Sequence, residues 1–104
     1  MTYTPNRWVV LKVDNGTQIV NKVFAGWSGG YLDGDDWRLN SGNLLETEFA
    51  DRWEFTGYSG SVYICYKHNY GMNSYMQSVW DSWQVHLQKL KPIASMQILE
   101  SYAE

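Results

Sequence analysis

The stretch RWVVLKVDNGTQIVNKVFA, residues 7–25, decides the fold of this 104-residue chain. Two β-rich runs flank Asn15-Gly16, a dipeptide that favours tight hairpin turns because both residues adopt positive φ readily. We predict strands over residues 7–13 and 18–25, with Leu11 opposite Val20 and Trp8 opposite Val23. Both faces of this hairpin carry apolar side chains, so we expect other elements to cover it on both sides.

Three further stretches alternate with a period of two, which is typical of strands. Residues 37–40 form a short run, and residues 61–67 form a longer one. Within residues 44–55, Leu45, Thr47 and Phe49 face one way and Glu46 and Glu48 the other. This predicts a second hairpin that turns at residues 50–51 and has one solvated face, which we assign to the two glutamates.

The period changes to 3.6 after residue 71, where Ser74 and Gln77 match a capping box. Pro92 ends any helix, and lysines before it suit the negative end of the helix dipole. Residues 93–102 fit either a strand around Met96 to Leu99 or a short helix, and we favour the strand. The predicted apolar stripe of the helix comprises Met76, Val79, Trp80, Trp83, Leu87 and Leu90.

Strands followed by a helix predict an α+β fold, an antiparallel sheet of five to six strands packed by one C-terminal amphipathic helix. The length suits a single domain, residues 1–104. One cysteine, Cys65, and the lack of a charged-then-apolar leader favour a reducing cytosol, and no apolar run is long enough for a membrane helix. We therefore expect a soluble protein without a membrane partner.

A short phrase recurs thirty-one residues apart, as FAGWSG from residue 24 and FTGYSG from residue 55. Each copy follows a predicted strand and places an aromatic residue and a serine between glycines, which predicts an exposed turn that presents the ring. The alternative is that these turns only connect strands and their rings fold back onto the core. The candidate binding residues are Trp27, Ser28, Tyr31, Trp37, Arg38, Tyr58, Ser59 and His68.

Catalytic patterns are weak in this sequence. Residues 26–30 match G-x-S-x-G, but a glycine and aspartate loop follows where the nucleophile elbow requires a helix. Cys65 and His68 are predicted on opposite faces of one strand, and Asp33 to Asp36 lacks the spacing of a calcium loop. We therefore predict no enzyme, no cofactor and no metal site.

The net charge of −3 argues against binding to duplex nucleic acid, which requires clustered cations. Seven acids against two arginines between Asp33 and Glu54 give a local excess of five negative charges. The simplest interpretation is a set of solvated faces and turns, and the alternative is a patch that steers a basic partner.

Three segments together resemble small proteins of tailed bacteriophages: KVFAGWSGGY from residue 22, WRLNSG from residue 37 and GYSGSVY from residue 57. The resemblance covers about half of the chain and implies an accessory protein of the host cytoplasm, without catalytic residues to carry over. We expect it to bind, and inhibit or redirect, a host protein or defence complex through the aromatic turns. The alternatives are a sponge for nucleotide signals or a virion or assembly component, and self-association of the chain is also left open.

Overall fold

The computed structural model describes residues 1–30, 34–89 and 94–103. Within them, short 3-10 helices lie at Lys67–Asn69 and, at the end of the described chain, at Glu100–Ala103. The described strands and helix are, in chain order, β1 Thr2–Tyr3, β2 Arg7–Asp14, β3 Ile19–Gly30, β4 Gly34–Leu39, β5 Asn43–Glu48, β6 Arg52–Gly57, β7 Val62–Tyr66, α1 Ser74–Gln88 and β8 Ser95–Ile98.

The eight strands form two four-stranded sheets. The first sheet has the order β1-β7-β6-β5 and the second has the order β4-β3-β2-β8. All neighbouring strands are antiparallel except β1 and β7, which are parallel. The α+β class is confirmed, and the strands divide between two sheets where one sheet of five to six was predicted.

The β2–β3 hairpin has the predicted faces but a different register. Its turn holds four residues, because the Asn15 Oδ1 atom accepts hydrogen bonds from the backbone N–H groups of Thr17 and Gln18 at 3.0 and 2.8 Å. Leu11 therefore lies opposite Lys22, and Trp8 opposite Ala25. The register differs from the predicted one by two residues, the side-chain period of a strand, so every side chain keeps its face.

Two hydrophobic clusters cover the two faces of this hairpin, as predicted. Trp8, Val10 and Val23 face the first sheet, where they pack with Phe55 and Cys65. The Trp8 indole N–H donates to the Tyr66 carbonyl at 2.7 Å, so the polar atom of this buried ring is satisfied. The opposite face, with Val9, Leu11 and Phe24, packs against Met76 of α1. The order of layers is first sheet, second sheet, helix.

Helix α1 packs on the second sheet through the predicted stripe, of which Met76, Val79, Trp80 and Trp83 join the second cluster. Its N-cap is Asn73, whose Oδ1 atom accepts from the Met76 N–H at 2.8 Å, and the prediction of a capping box from Ser74 is wrong. Leu90 lies outside the described residues. The strand predicted near Met96 is confirmed as β8, which pairs with β2.

Strand β5 presents the opposite faces from those predicted. A register irregularity between Asn43 and Leu45 places Glu46 opposite Phe55, so Glu46 points to the side of the core. Leu45 and Thr47 point to the outer face of the first sheet, with Leu45 59% exposed. A bulge inserts one extra residue into one strand, and this reverses the faces of the residues that follow it. An alternating sequence pattern does not reveal whether such a bulge is present.

Candidate functional site

The first copy of the repeated phrase continues strand β3 and is not a turn. Trp27 packs partly against the cluster between the sheets, and its indole N–H donates to the Thr4 carbonyl at 3.1 Å. The Ser28 N–H donates to Asn6 Oδ1 at 2.9 Å, so the segment before β2 is held against this part of β3. The prediction of a turn at Trp27 is wrong, because this segment is part of β3, with a register irregularity between Trp27 and Gly30. The Trp27 ring nevertheless remains partly exposed.

Gly26 serves packing in this part of β3. A Cβ atom at this position would overlap the Sδ and Cγ atoms of Met76, a fully buried residue of α1. The glycine permits close approach between β3 and α1, a role that the sequence does not distinguish from that of a turn glycine. Tyr31, another candidate, lies outside the described residues.

Trp37 is a packing residue. Its ring lies edge-on to Phe24 at 5.9 Å and to Trp83 at 5.1 Å between ring centroids. These contacts place it in the cluster between the second sheet and the helix. The interpretation of Trp37 as an exposed binding residue is therefore wrong. Of the two repeated phrases, the alternative that the ring folds back onto the core is largely correct for Trp27.

Arg38 is exposed on the opposite face of β4 from Trp37. Its guanidinium carbon lies 4.8 Å from the centre of the Tyr3 ring, a cation–π arrangement. Tyr3 also meets Trp27 edge-on at 6.1 Å. These residues line a shallow cavity of about 340 Å³, which we call the Arg38 cavity, together with Thr2, Thr4 and Asp36.

His68 lies in the 3-10 helix after β7, exposed and 5.9 Å from Tyr66 between ring centroids. Cys65 is fully buried between the sheets, and burial raises the pKa of its thiol. A buried, protonated thiol is a poor nucleophile. The Cys-His pair considered from the sequence is thus not assembled into a reactive site.

The second copy of the phrase does form the predicted exposed turn. Tyr58 is 61% exposed, and its N–H donates to the Gly42 carbonyl at 3.0 Å. The Ser59 N–H donates to Ser41 Oγ at 3.0 Å. These two bonds tie the turn after β6 to the turn before β5 and hold the Tyr58 backbone in place.

The Tyr58 ring is positioned by a close approach to Gly42. That glycine has φ of +120°, and a Cβ atom placed on it would lie 2.7 Å from Val20 Cγ1 and 3.1 Å from Tyr58 Cδ2. No other residue would let the ring and the valine approach this backbone so closely. The ring is therefore fixed on one side and open to solvent on the other.

Two cavities of about 390 and 380 Å³ flank this ring. Gln18, Val20 and Tyr58 line both, and the second also contains Ile19 and Leu44, which are 58% and 55% exposed. We call Ile19, Leu44 and Tyr58 the Tyr58 surface. Its polar margin is made by Gln18, Asn21, Asn43 and Glu46.

Sequence reasoning missed Ile19 and Leu44 as members of this surface. The pair Leu44-Leu45 carried a usable signal, since two adjacent leucines in an alternating strand cannot both face the same core. No sequence feature indicated that Ile19 is exposed. It lies on the predicted apolar face of β3 and is uncovered only because it stands at the end of that strand.

The two copies of the phrase do not form one surface. Tyr58 packs beside Val20, and Trp27 lies seven residues further along β3, which corresponds to about 23 Å of extended chain. Trp27 and Arg38 share one cavity and Tyr58 and Ser59 share one turn, whereas Trp37 and His68 belong to neither.

Several acids of the middle segment are paired within the protein. Glu46 accepts from the Tyr102 hydroxyl at 2.6 Å and from the Asn43 amide at 2.9 Å. Glu48 forms an ion pair with Lys67, and Arg52 bridges Asp51 and Glu54. These contacts support the simpler interpretation, in which the acids form hydrogen bonds and ion pairs at the surface of the fold.

No group of three metal-ligating side chains comes together within residues 1–30, 34–89 and 94–103. In the same residues, no helix has the length and apolar character to span a membrane. Comparison of the chain with family models, curated proteins and solved structures finds no match.

Proposed function

We propose that this chain is a binding protein that engages another protein through the Tyr58 surface. The observation that carries the proposal is the grouping of three exposed apolar side chains, Ile19, Leu44 and Tyr58, around one cavity. Clustered exposed apolar residues with a polar margin are typical of protein interaction sites. A tyrosine held in place before binding contributes a large contact area at small entropic cost.

The resemblance to tailed-phage proteins makes a host protein or defence complex the expected partner. This part of the proposal rests on the resemblance alone, and the chemistry of the surface is compatible with it. Any partner must offer an apolar side chain or shallow pocket that accepts the open side of the Tyr58 ring, with hydrogen-bonding groups opposite Gln18 and Asn43.

The test is affinity purification of the tagged protein from host lysate with quantitative mass spectrometry, for wild type and three variants. Tyr58→Ala and Leu44→Ser remove the centre of the surface, and Val85→Ser removes an equally exposed side chain from the helix. We expect a partner that co-purifies with wild type and the Val85 variant and is depleted at least roughly tenfold by the other two. Equal recovery by all four proteins would refute the assignment of this surface.

A second candidate function is favoured by the Arg38 cavity. An exposed guanidinium over Tyr3, with the Trp27 ring alongside, offers a cation and aromatic surfaces to a small anionic ligand such as a nucleotide. A nucleotide that binds there raises the melting temperature of wild type and not of an Arg38→Ala variant. No shift across a nucleotide panel, and no nucleotide released when the purified protein is denatured, would remove this candidate.

A further inference from the structure

Strand β5 is an edge of the first sheet and borders the Tyr58 surface. It pairs with β6 on one side, and no described strand pairs with its other side, which we call the β5 edge. Every residue at positions 44–48 is exposed. Asn43, Leu44 and Glu46 also line the cavity of about 380 Å³ beside Tyr58. The β5 edge is therefore continuous with the surface on which the proposed function depends.

The hairpin between β5 and β6 shows which backbone groups of β5 point to this edge. The Phe49 N–H donates to the Arg52 carbonyl at 2.8 Å, so these two residues form a hydrogen-bonded pair. Hydrogen-bonded and non-hydrogen-bonded pairs alternate along antiparallel strands. Thr47 therefore bonds to β6, whereas the N–H and C=O groups of Glu46 and Glu48 point away from it. No other described backbone group bonds to these four groups.

The four groups match the backbone of an extended chain. Unpaired N–H and C=O groups at alternate positions of an edge strand are a template for one more strand. An added strand bonds through its main chain, and its alternate side chains enter pockets beside the edge. A residue opposite Glu46 directs its side chain to the same face as Glu46, which lines the cavity with Ile19 and Asn21.

The charge of Glu46 distinguishes among the extended chains that could bind. Its carboxylate accepts hydrogen bonds from Tyr102 and Asn43, which are both neutral. No described cation pairs with it, whereas Glu48 pairs with Lys67. A carboxylate has about four acceptor sites, so a cation can still bind there.

The same glutamates disfavour a second copy of the chain at this edge. Antiparallel pairing of two β5 edges through their unpaired groups places Glu46 or Glu48 of one copy opposite a glutamate of the other. Like charges directly opposite each other destabilise a strand pair. The chemistry of the edge therefore favours a different chain with a cationic side chain.

We propose that the β5 edge binds an extended segment of the partner protein as an added strand, with a lysine or arginine opposite Glu46. The aliphatic part of that side chain covers Ile19 and Leu44, and its charged end meets the Glu46 carboxylate. Main-chain hydrogen bonds supply affinity, and the cavity supplies selectivity. This inference rests on the proposed function, because it names the chemistry of the partner that engages the Tyr58 surface.

The first test titrates short capped peptides into the full chain by calorimetry. The peptides alternate threonine and valine and carry arginine, leucine or glutamate at the centre. We expect the arginine peptide to bind most tightly, and N-methylation of its alternate backbone nitrogens to weaken binding at least roughly tenfold. Glu46→Gln, which can still accept from Tyr102, abolishes the preference for arginine over leucine. No binding by any peptide, or equal binding of the arginine and glutamate peptides, would overturn the proposal.

A matched pair of variants tests the backbone of the edge. Glu48→Pro removes an outward N–H and no bond to β6, and proline is tolerated at such positions of edge strands. Glu48→Ala removes the same ion pair with Lys67 and keeps the N–H. We expect the proline variant to bind the arginine peptide at least roughly tenfold more weakly, and the alanine variant to bind it almost as wild type does. Circular dichroism checks that both variants are folded, and equal binding by the two would contradict the added strand.

Amide hydrogen exchange of the wild-type chain tests the same point without a substitution. We expect the Glu46 and Glu48 amides to exchange quickly in the free protein and to become protected when the arginine peptide is added. Protection that rises with protein concentration in the absence of peptide would identify a second copy as the occupant and overturn the proposal.

Affinity purification with the same variants separates this inference from the proposed function. A partner that is depleted by Tyr58→Ala but not by Glu48→Pro or Glu46→Gln would refute the added strand and leave the Tyr58 surface in place. Selective binding of the arginine peptide at the β5 edge, with equal partner recovery by wild type and Tyr58→Ala, would support the added strand and refute the proposed function.

Discussion

At the scale of single residues, two glycines test how the Tyr58 ring is held. Gly42 and Gly60 both have positive φ, but a Cβ atom would overlap Val20 at Gly42 and would meet nothing within 4 Å at Gly60. We expect Gly60→Ala to cost about 1 to 2 kcal/mol from backbone strain alone. Gly42→Ala adds an overpacking cost of about 1 to 3 kcal/mol. Chemical denaturation measures both, and equal costs would contradict the close approach.

Cys65 supports a second residue-scale prediction. Its thiol is fully buried between the sheets, and burial raises its pKa, so the reactive thiolate is scarce and inaccessible in the folded protein. We expect a thiol reagent at mildly alkaline pH to react with Cys65 only as fast as the protein opens, and rapidly in denaturant. Fast reaction of the native protein with a chromogenic disulfide would contradict this placement.

At the scale of elements, the helix depends on a group of rings shared with the second sheet. Trp83 lies 4.9 Å from Phe24 and 5.1 Å from Trp37 between ring centroids. Trp83→Ala should therefore destabilise the protein by on the order of 3 kcal/mol, a large part of the stability of a small domain. The matched control is Val85→Ala, two residues along the helix and 61% exposed.

Thermal melts followed by circular dichroism compare these two helix variants. We expect a clear fall in melting temperature for the Trp83 variant and little change for the Val85 variant. Equal melting temperatures would show that the helix is not anchored through this ring cluster.

At the scale of the whole molecule, the half-buried Tyr70 and the buried Tyr102 link stability to alkaline pH. Burial is the main cause that raises the pKa of Tyr70 and of Tyr102 to about 12, with Glu100 and Glu46 adding to it. Their hydroxyls donate to the Leu99 carbonyl at 2.8 Å and to Glu46 at 2.6 Å. Both contacts join the C-terminal segment to the rest of the fold.

The direction of this pH dependence follows from the difference between the unfolded and the folded pKa of each tyrosine. An unfolded tyrosine loses its proton near pH 10, whereas these two keep theirs to about pH 12, so the folded state binds more protons in between. Stability should be fully present below about pH 10 and fall as the pH rises to about 12. Urea denaturation at a series of pH values measures this, and Tyr70→Phe should flatten the fall. Tyr58→Phe, on the exposed turn, is the control, and an unchanged slope for Tyr70→Phe would contradict the assignment.

The candidate site was partly accessible from the sequence. The phrase around Tyr58 correctly indicated an exposed aromatic turn, because Gly60 has the positive φ that the pattern suggests. The same phrase around Trp27 became part of a long strand, since there the N-terminal segment and Met76 pack against it. Similar local sequences led to different outcomes because the neighbours come from distant parts of the chain.

The sequence by itself determined the elements whose signals are local: the two-sided β2–β3 hairpin, the period of the helix and the alternation in β7. Periodicity carries this information because each residue's face depends only on its position within its own element. Only the tertiary structure decided the hairpin register, the faces of β5 and which rings remain exposed. Those depend on a side chain that caps a turn, on one bulged residue and on contacts between residues far apart in the chain, none of which leaves a periodic trace.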